Sequence, residues 1–515
     1  MDRIHRKSAI SKTSELILSF HDQGEDLLWG RYERQVPLCA FTENGLSCRK
    51  CFHGPCRINP FGDEPDRGIC GADRDQIVME TLFQATLGGV LDQYRSDSTG
   101  DNTELPEIAP DFPQETLDRL SKAGLIPICQ NQLWKVQNSY FSHKGYLTRT
   151  LRDLTRLGLI QYGLLKRREG ASGGEEGLWT AAGANILIAA QPPASLITAL
   201  KKQAAQKNRT INLLGQGATF CTSIPLIVDH GTPELALAMG LDCVIIGPNA
   251  SLPALGSLAE KVGVPVVLFD EAKSVEQISS RAIELAFGHK ERASSGGQPL
   301  PRAGNGLEKA ENSILVRGAE VKAALKTGQI RGVVIILGET NVKQTFFERT
   351  LTLMEKCLDQ SCLIILGGEL AAQADLLQEE LKKGMAARGS TRMGQMEKLG
   401  LPSLTSLGSF SQIPKVVAFL RNMGEDRGFA SLPAVVAFPE FYRTSTWATA
   451  VSFLALGCAV QIGARLPFWG SPALSDILMR DWPLISGGTL LASPTLPDSQ
   501  AQAQELISFL DGRKF

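Results

Sequence analysis

The chain has 515 residues, 43% hydrophobic and 21% charged, the composition of an ordinary globular protein too long for one core. Lys plus Arg total 53 against 54 Asp plus Glu, and a net charge of -1 argues against nucleic acid or an anionic membrane as the main partner. No signal-peptide core occupies Met1 to Phe20, and the uncharged stretch Ala448 to Ala464 is broken by Ser, Gly and Gln, short of the roughly 20 apolar residues of a membrane helix; the sequence reads as cytoplasmic.

The first informative segment is rich in cysteine. Five of the 11 cysteines fall between Cys39 and Cys70, and without a secretion signal such a cluster reads as metal binding rather than disulfides. Cys48-x2-Cys51-x4-Cys56-x13-Cys70 offers four thiolates, soft donors that suit an iron–sulfur cluster or structural zinc. Free thiols are the plain alternative. Gly54-Pro55 and Gly68 permit the bends that aim several sulfurs at one centre. Arg49, Lys50 and Arg57 either donate hydrogen bonds to an anionic cluster or are solvated charges, and His53 reads as a neighbour rather than a ligand.

Asp73 to Arg95 predicts a helix with Asp73 as N-cap, and Leu147 to Leu165 predicts another. A loop from Glu169 to Gly177 closes a mainly helical domain, residues 1–178. The pattern then changes. Apolar runs at Asn185–Ala189, Thr210–Leu214, Asp242–Ile246, Val264–Phe269, Gly332–Leu337, Cys362–Leu366, Ala434–Phe438 and Cys458–Ile462 alternate with helix-length segments. Such runs predict parallel strands buried on both faces. His289 to Ala310, polar and rich in Gly, Ser and Pro, predicts a long surface loop between two doubly wound α/β domains, residues 179–328 and 329–515. Cys129, Cys221, Cys243, Cys357, Cys362 and Cys458 sit in apolar surroundings and read as small core residues.

The stretch Gly45-Leu-Ser-Cys-Arg-Lys-Cys-Phe-His-Gly-Pro-Cys-Arg-Ile-Asn-Pro-Phe-Gly, followed by Gly68-Ile-Cys-Gly-Ala, closely resembles the N-terminus of nickel-containing carbon monoxide dehydrogenases. Ala184-Asn-Ile-Leu, Thr210-Ile-Asn-Leu-Leu-Gly, Arg331-Gly-Val-Val and Gly338-Glu-Thr-Asn-Val-Lys are similar to family landmarks in the same order. The hybrid cluster proteins are a more distant relation. The resemblance implies an N-terminal helical iron–sulfur domain followed by two Rossmann-like doubly wound α/β domains. It also implies one [4Fe–4S] cluster per subunit on Cys48, Cys51, Cys56 and Cys70, a homodimer, an anaerobic setting, and a redox partner such as a ferredoxin or flavoprotein. A second family cluster spans the dimer axis on two cysteines from each subunit. Cys39 matches the first of that pair, but Ser47 stands at the second. A smaller intersubunit cluster, an intersubunit disulfide and an unliganded Cys39 all stay open.

The resemblance further implies a nickel–iron–sulfur active site between the Rossmann-like domains, on one histidine and five cysteines. Landmarks place those positions at Gln191, Ala218 (with Cys221 close by), Ala250, Glu339, Glu369 and Phe410, and none has the family's ligand type. The family's lysine falls at Ser445, and the chain's six histidines do not rebuild its histidine ladder. Gln, Ala, Glu and Phe do not hold a soft cluster, so neither nickel nor CO oxidation is expected. Glu339 and Glu369 follow predicted strands, as do Asp270, Glu271 and Glu440. These acids, with His230, would form a crevice for a hard or organic cation; alternatively, Glu339 and Glu369 face solvent or pair with Lys343, Arg331 or Arg392. Three functions follow: electron transfer or redox sensing, an oxidoreductase with a repurposed carboxylate site, or a structural, partner-binding homologue. Active CO dehydrogenase is disfavoured.

Overall fold

The computed structural model describes residues 7–96, 105–128, 131–142, 147–169, 183–189, 194–216, 226–228, 237, 240–247, 254–269, 273–293, 315, 317–389, 404–408, 412–425, 427–492 and 498–513. A one-turn helix α1 (Ala40–Glu43) leads into the cysteine loop, and α2 (Arg74–Ser96) follows it. The start of α2 is set by a reciprocal capping box. Asp73 Oδ1 accepts from the Gln76 N–H at 2.9 Å, and Gln76 Oε1 accepts from the Asp73 N–H at 3.1 Å. Asp73→Ala is expected to lower stability by about 1 kcal/mol, seen as a lower denaturant midpoint at unchanged slope. Helices α3 (Gln114–Lys122) and α4 (Leu147–Glu169) continue this layer, with Leu151, Leu154 and Leu157 buried at helical spacing.

Two parallel sheets follow. The first joins β3 (Ala184–Ala189), β4 (Ile211–Gln216), β5 (Leu226–Val228), β6 (Cys243–Ile246) and β7 (Val266–Leu268) in the order β5-β4-β3-β6-β7. The second joins β8 (Val333–Ile336), β9 (Leu363–Gly367), β10 (Leu404–Gly408), β11 (Ala434–Phe438), β12 (Ala459–Ile462) and β13 (Thr489–Ala492) in the order β10-β9-β8-β11-β12-β13. Both are doubly wound, and strand order reverses between β3 and β6 and between β8 and β11. Every residue of β8, β9, β11 and β12 is buried, which is why these strands read as unbroken apolar runs.

Two sequence expectations need correction. Strands β5, β10 and β13 are additional to the eight expected, and all three lie at sheet edges. Edge strands are short and half-covered, so Leu404–Gly408 (LTSLG) carries no continuous apolar signal. The loop expected from His289 starts later, because α5 (Val275–Ala293) runs through His289-Lys-Glu-Arg. His289 Nδ1 lies 3.3 Å from Asp242 Oδ1 and Lys290 Nζ donates to the Gly183 carbonyl, so polar residues here dock a helix rather than mark a loop. The remainder of that segment to Ala310 lies outside the described residues.

After β8 comes α6 (Glu348–Asp359), and the turn from α6 into β9 is a Schellman closure. Cys362 N–H donates to Cys357 O and Ser361 N–H to Leu358 O, both at 2.9 Å, with Ser361 at φ 58°. Its apolar contact is the pair of buried thiols, Cys357 and Cys362. A short helix α7 (Glu369–Ala372) follows β9, α8 (Thr444–Ala455) follows β11, and α9 (Pro472–Ile485) follows β12.

Residues Ser445 to Ala455 of α8 are all buried, as expected of a helix whose twelve residues include no charge. It lies between the second sheet and the helical layer. A Cβ on Gly89 of α2 would stand 2.2 Å from the Thr444 carbonyl oxygen, and one on Gly158 of α4 would stand 2.6 Å from that of Val451. Backbone therefore meets backbone at both crossings. Trp447 Nε1 donates to Thr86 Oγ1 at 2.8 Å, and Trp482 Nε1 of α9 donates to Thr155 Oγ1 at 3.1 Å, so the indoles reach partners inside the core. The uncharged stretch from Ala448 is thus an interior helix and strand. Among the described residues no helix is long and apolar enough to cross a membrane.

Candidate functional site

The cysteine loop hangs from a two-residue antiparallel bridge, β1 (Ser47–Cys48) with β2 (Cys56–Arg57), which sets Cys48 opposite Cys56. Gly68 packs against Cys56, and the Ile69 N–H points at Cys56 Sγ at 3.4 Å, the kind of donor that steadies a thiolate. Cys51 and Cys70 are exposed, Cys48 and Cys56 are half-buried, and all four are free thiols. Burial pushes the Cys48 thiol up, and the nearby Glu80 carboxylate and the Cys56 and Cys70 sulfurs add to the rise. Lys50 pairs with Glu80 at 2.6 Å, while Arg57 lies over the Phe41 ring at 5.5 Å. The donors match a soft metal cluster: four thiols in one accessible loop with an N–H aimed at a sulfur. Among the described residues no three Cys, His, Asp or Glu side chains already converge as a metal-holding group.

Cys39 is exposed at the N-cap of α1. Hydrogen bonds from the Thr42 hydroxyl and backbone N–H hold its thiol below the usual range. Phe52, Phe61 and Ile69, all in the segment that carries the thiols, are largely exposed.

The second region lies at the carboxyl ends of β8, β9 and β11, where strand order reverses. Gly338 (φ 138°) leaves β8 so close to β11 that a Cβ would stand 2.3 Å from the Glu440 carbonyl oxygen, and the Glu339 N–H donates to that oxygen at 3.1 Å. The two glutamates then exchange helices. Glu339 accepts from the Tyr442 N–H at 3.0 Å and from the Thr446 hydroxyl, anchoring the start of α8. Glu440 accepts from the N–H groups of Phe347 at 3.1 Å, Arg349 at 3.1 Å and Thr350 at 3.3 Å, anchoring the start of α6. Each carboxylate thus anchors the start of the helix that follows the other's strand, and Glu440 does so by capping first-turn N–H groups.

Glu369 forms a buried ion pair with Arg443. Neither Glu339 nor Glu369 faces solvent. Lys343 pairs with Glu43 at 2.7 Å and Arg331 with Asp511, so the glutamates' partners are Tyr442, Thr446 and Arg443 instead. Sequence reasoning missed Arg443, though it had a signal: it is the only charge between Glu440 and Arg465. A charge alone in an apolar run needs a buried partner. Burial pushes the Glu440 carboxyl up to about 7, against its N–H donors, Gln344 and the Arg349 guanidinium. Ser445 is buried on α8. Gln191, Ala218, Cys221, His230, Ala250, Asp270, Glu271, Arg392, Phe410 and Cys129 lie outside the described residues.

Comparison with known proteins places this geometry. The chain is 24% identical to carbon monoxide dehydrogenase 2 of Carboxydothermus hydrogenoformans, covering 100% of this chain and 99% of that one. It is 22% identical to carbon monoxide dehydrogenase 1 of Methanosarcina mazei, covering 99% and 97%. The fold matches the solved structure of carbon monoxide dehydrogenase IV from Carboxydothermus hydrogenoformans with a TM-score of 0.78 at 19% identity, over 99% of each chain. The model of the Prismane/CO dehydrogenase family matches residues 46–96 and 241–495, more than half of the chain, and the protein belongs to that family.

Proposed function

We propose that the chain is a homodimeric [4Fe–4S] protein that has lost the nickel–iron–sulfur active site of its relatives and serves in electron transfer or redox sensing rather than CO oxidation. The observation that carries this reading is a contrast: four thiols stand free in an accessible loop, whereas Glu339 and Glu369 are tied into the protein. Cys48, Cys51, Cys56 and Cys70 would hold the cluster, which supplies one-electron chemistry when bound. The protein's own part is to steady the Cys56 sulfur with the Ile69 N–H and to fix the loop through the Lys50–Glu80 pair. A second subunit over Phe52, Phe61 and Ile69 would remove apolar surface from water, and the acidified Cys39 thiol suits a disulfide or a metal link across that contact. A ferredoxin or flavoprotein would exchange electrons with the loop. A metal site on Glu339 and Glu369 would first have to take both carboxylates from their present partners.

The test is iron, acid-labile sulfide and nickel content on anaerobically purified protein, with EPR before and after dithionite. About four irons per subunit, no nickel and a reducible signal are expected. Cys56→Ala should remove most of the iron while the far-UV dichroism is kept. Stoichiometric nickel, or about eight or more irons per subunit, would sink the reading.

A further inference from the structure

The N-terminal half of α4 carries Arg149, Arg152 and Arg156 at i, i+3 and i+7, which puts three guanidinium groups along one helix face. They line a cavity of about 510 Å³ with Thr148 and the turn at Ala123 and Gly124. A second cavity of about 580 Å³ shares Ala123, Thr148 and Arg152 and extends past Lys122 at the end of α3, where Glu115, Asp118 and Asp481 stand against Arg119, Lys122 and Arg152. Together they form one concavity of the size that holds a small molecule.

The excess of positive charge lies in the first cavity, where Arg149, Arg152 and Arg156 face only Asp153. Asp153 is committed to Arg156 at 2.5 Å, Glu115 to Arg119 at 2.9 Å, and Asp481 to Arg480 at 2.8 Å. Asp118 accepts from the Gln114 amide at 2.8 Å. Arg149, Arg152 and Lys122 are exposed and have no ion pair or hydrogen bond among the described residues. Like charges one turn apart on a helix repel, and here they also crowd the positive end of a 23-residue helix. Such a constellation is relieved by an anion, and forked guanidinium donors match phosphate oxygens best.

We propose that this concavity binds a small molecule bearing a polyphosphate group, of nucleotide size, with Arg149 and Arg152 on the phosphates and Lys122 at the outer rim. The test is calorimetric titration of the anaerobically purified full chain with ATP and with sodium pyrophosphate, at fixed ionic strength near 0.15 M. Both should bind saturably, and Arg149→Gln with Arg152→Gln should weaken both at least tenfold. Equal affinity for the two ligands would assign recognition to the phosphates; tighter binding of ATP would add the nucleoside. Both side chains are exposed, so the ligand-free variant should melt within about 2 °C of the parent. The proposal fails if the parent shows no saturable binding, if the double variant binds equally well, or if the site takes only an acidic protein and neither phosphate compound.

Discussion

Gly89→Ala is expected to destabilise the protein by about 2 kcal/mol, although alanine is the better helix former. On an open helix surface the swap would gain about 1 kcal/mol. At Gly89 the added methyl would stand 2.2 Å from the Thr444 carbonyl oxygen and 2.9 Å from the Ala448 side chain, so α2 and α8 must separate. That movement also disturbs the first turn of α8, where Glu339 holds Tyr442 and Thr446. The neighbouring residue is the control. A Cβ on Gly88 meets nothing within 4 Å, and Gly88→Ala should stabilise by about 1 kcal/mol. Denaturant unfolding of the two variants should therefore give opposite signs one residue apart. If both stabilise, the close backbone crossing is wrong.

The Glu440 carboxyl should make folding stability fall as pH rises through the weakly acid range. Its ordinary value is 4.5, and burial in the folded protein raises it to about 7. Below the lower value the group is protonated in both states and contributes nothing. Between the two the folded state binds the extra proton, so stability is lost as pH climbs, and above the higher value the loss is complete at about 3 kcal/mol. Glu440→Gln cannot titrate. It also turns an amide group toward backbone N–H donors, which costs stability at every pH. The stability of the parent minus that of Glu440→Gln should thus shrink by about 3 kcal/mol between pH 4.5 and 8. A flat difference would mean that the helix N-terminus and Arg349 keep Glu440 ionised throughout.

What could be read from the sequence follows what is local. The central strands announce themselves because burial on both faces demands runs such as Val333–Ile336 and Ala434–Phe438. The edge strand Leu404–Gly408 is under no such demand. The cysteine spacing is legible because thiolates on one loop must be close in sequence. The exchange of helix anchors between Glu339 and Glu440 is not, because each carboxylate meets partners about a hundred positions away and only the strand order brings them together. Their positions at strand ends were readable; their commitment to α6 and α8 was not.

Helix α8 sets an order of events during synthesis. Its packing partners α2 and α4 end at Ser96 and Glu169, while α8 itself begins at Thr444, so the ribosome must add about 275 residues before the gap between them can be filled. Until then the faces of α2 and α4 around Gly89 and Gly158 remain wet, and the helical layer is an unfinished half of a core. When α8 does emerge it has no charged residue with which to wait in water. Nascent chains stalled before residue 444 should therefore be held by general chaperones, and the full-length chain, with α8 and α9 both seated on α4, should let go of them.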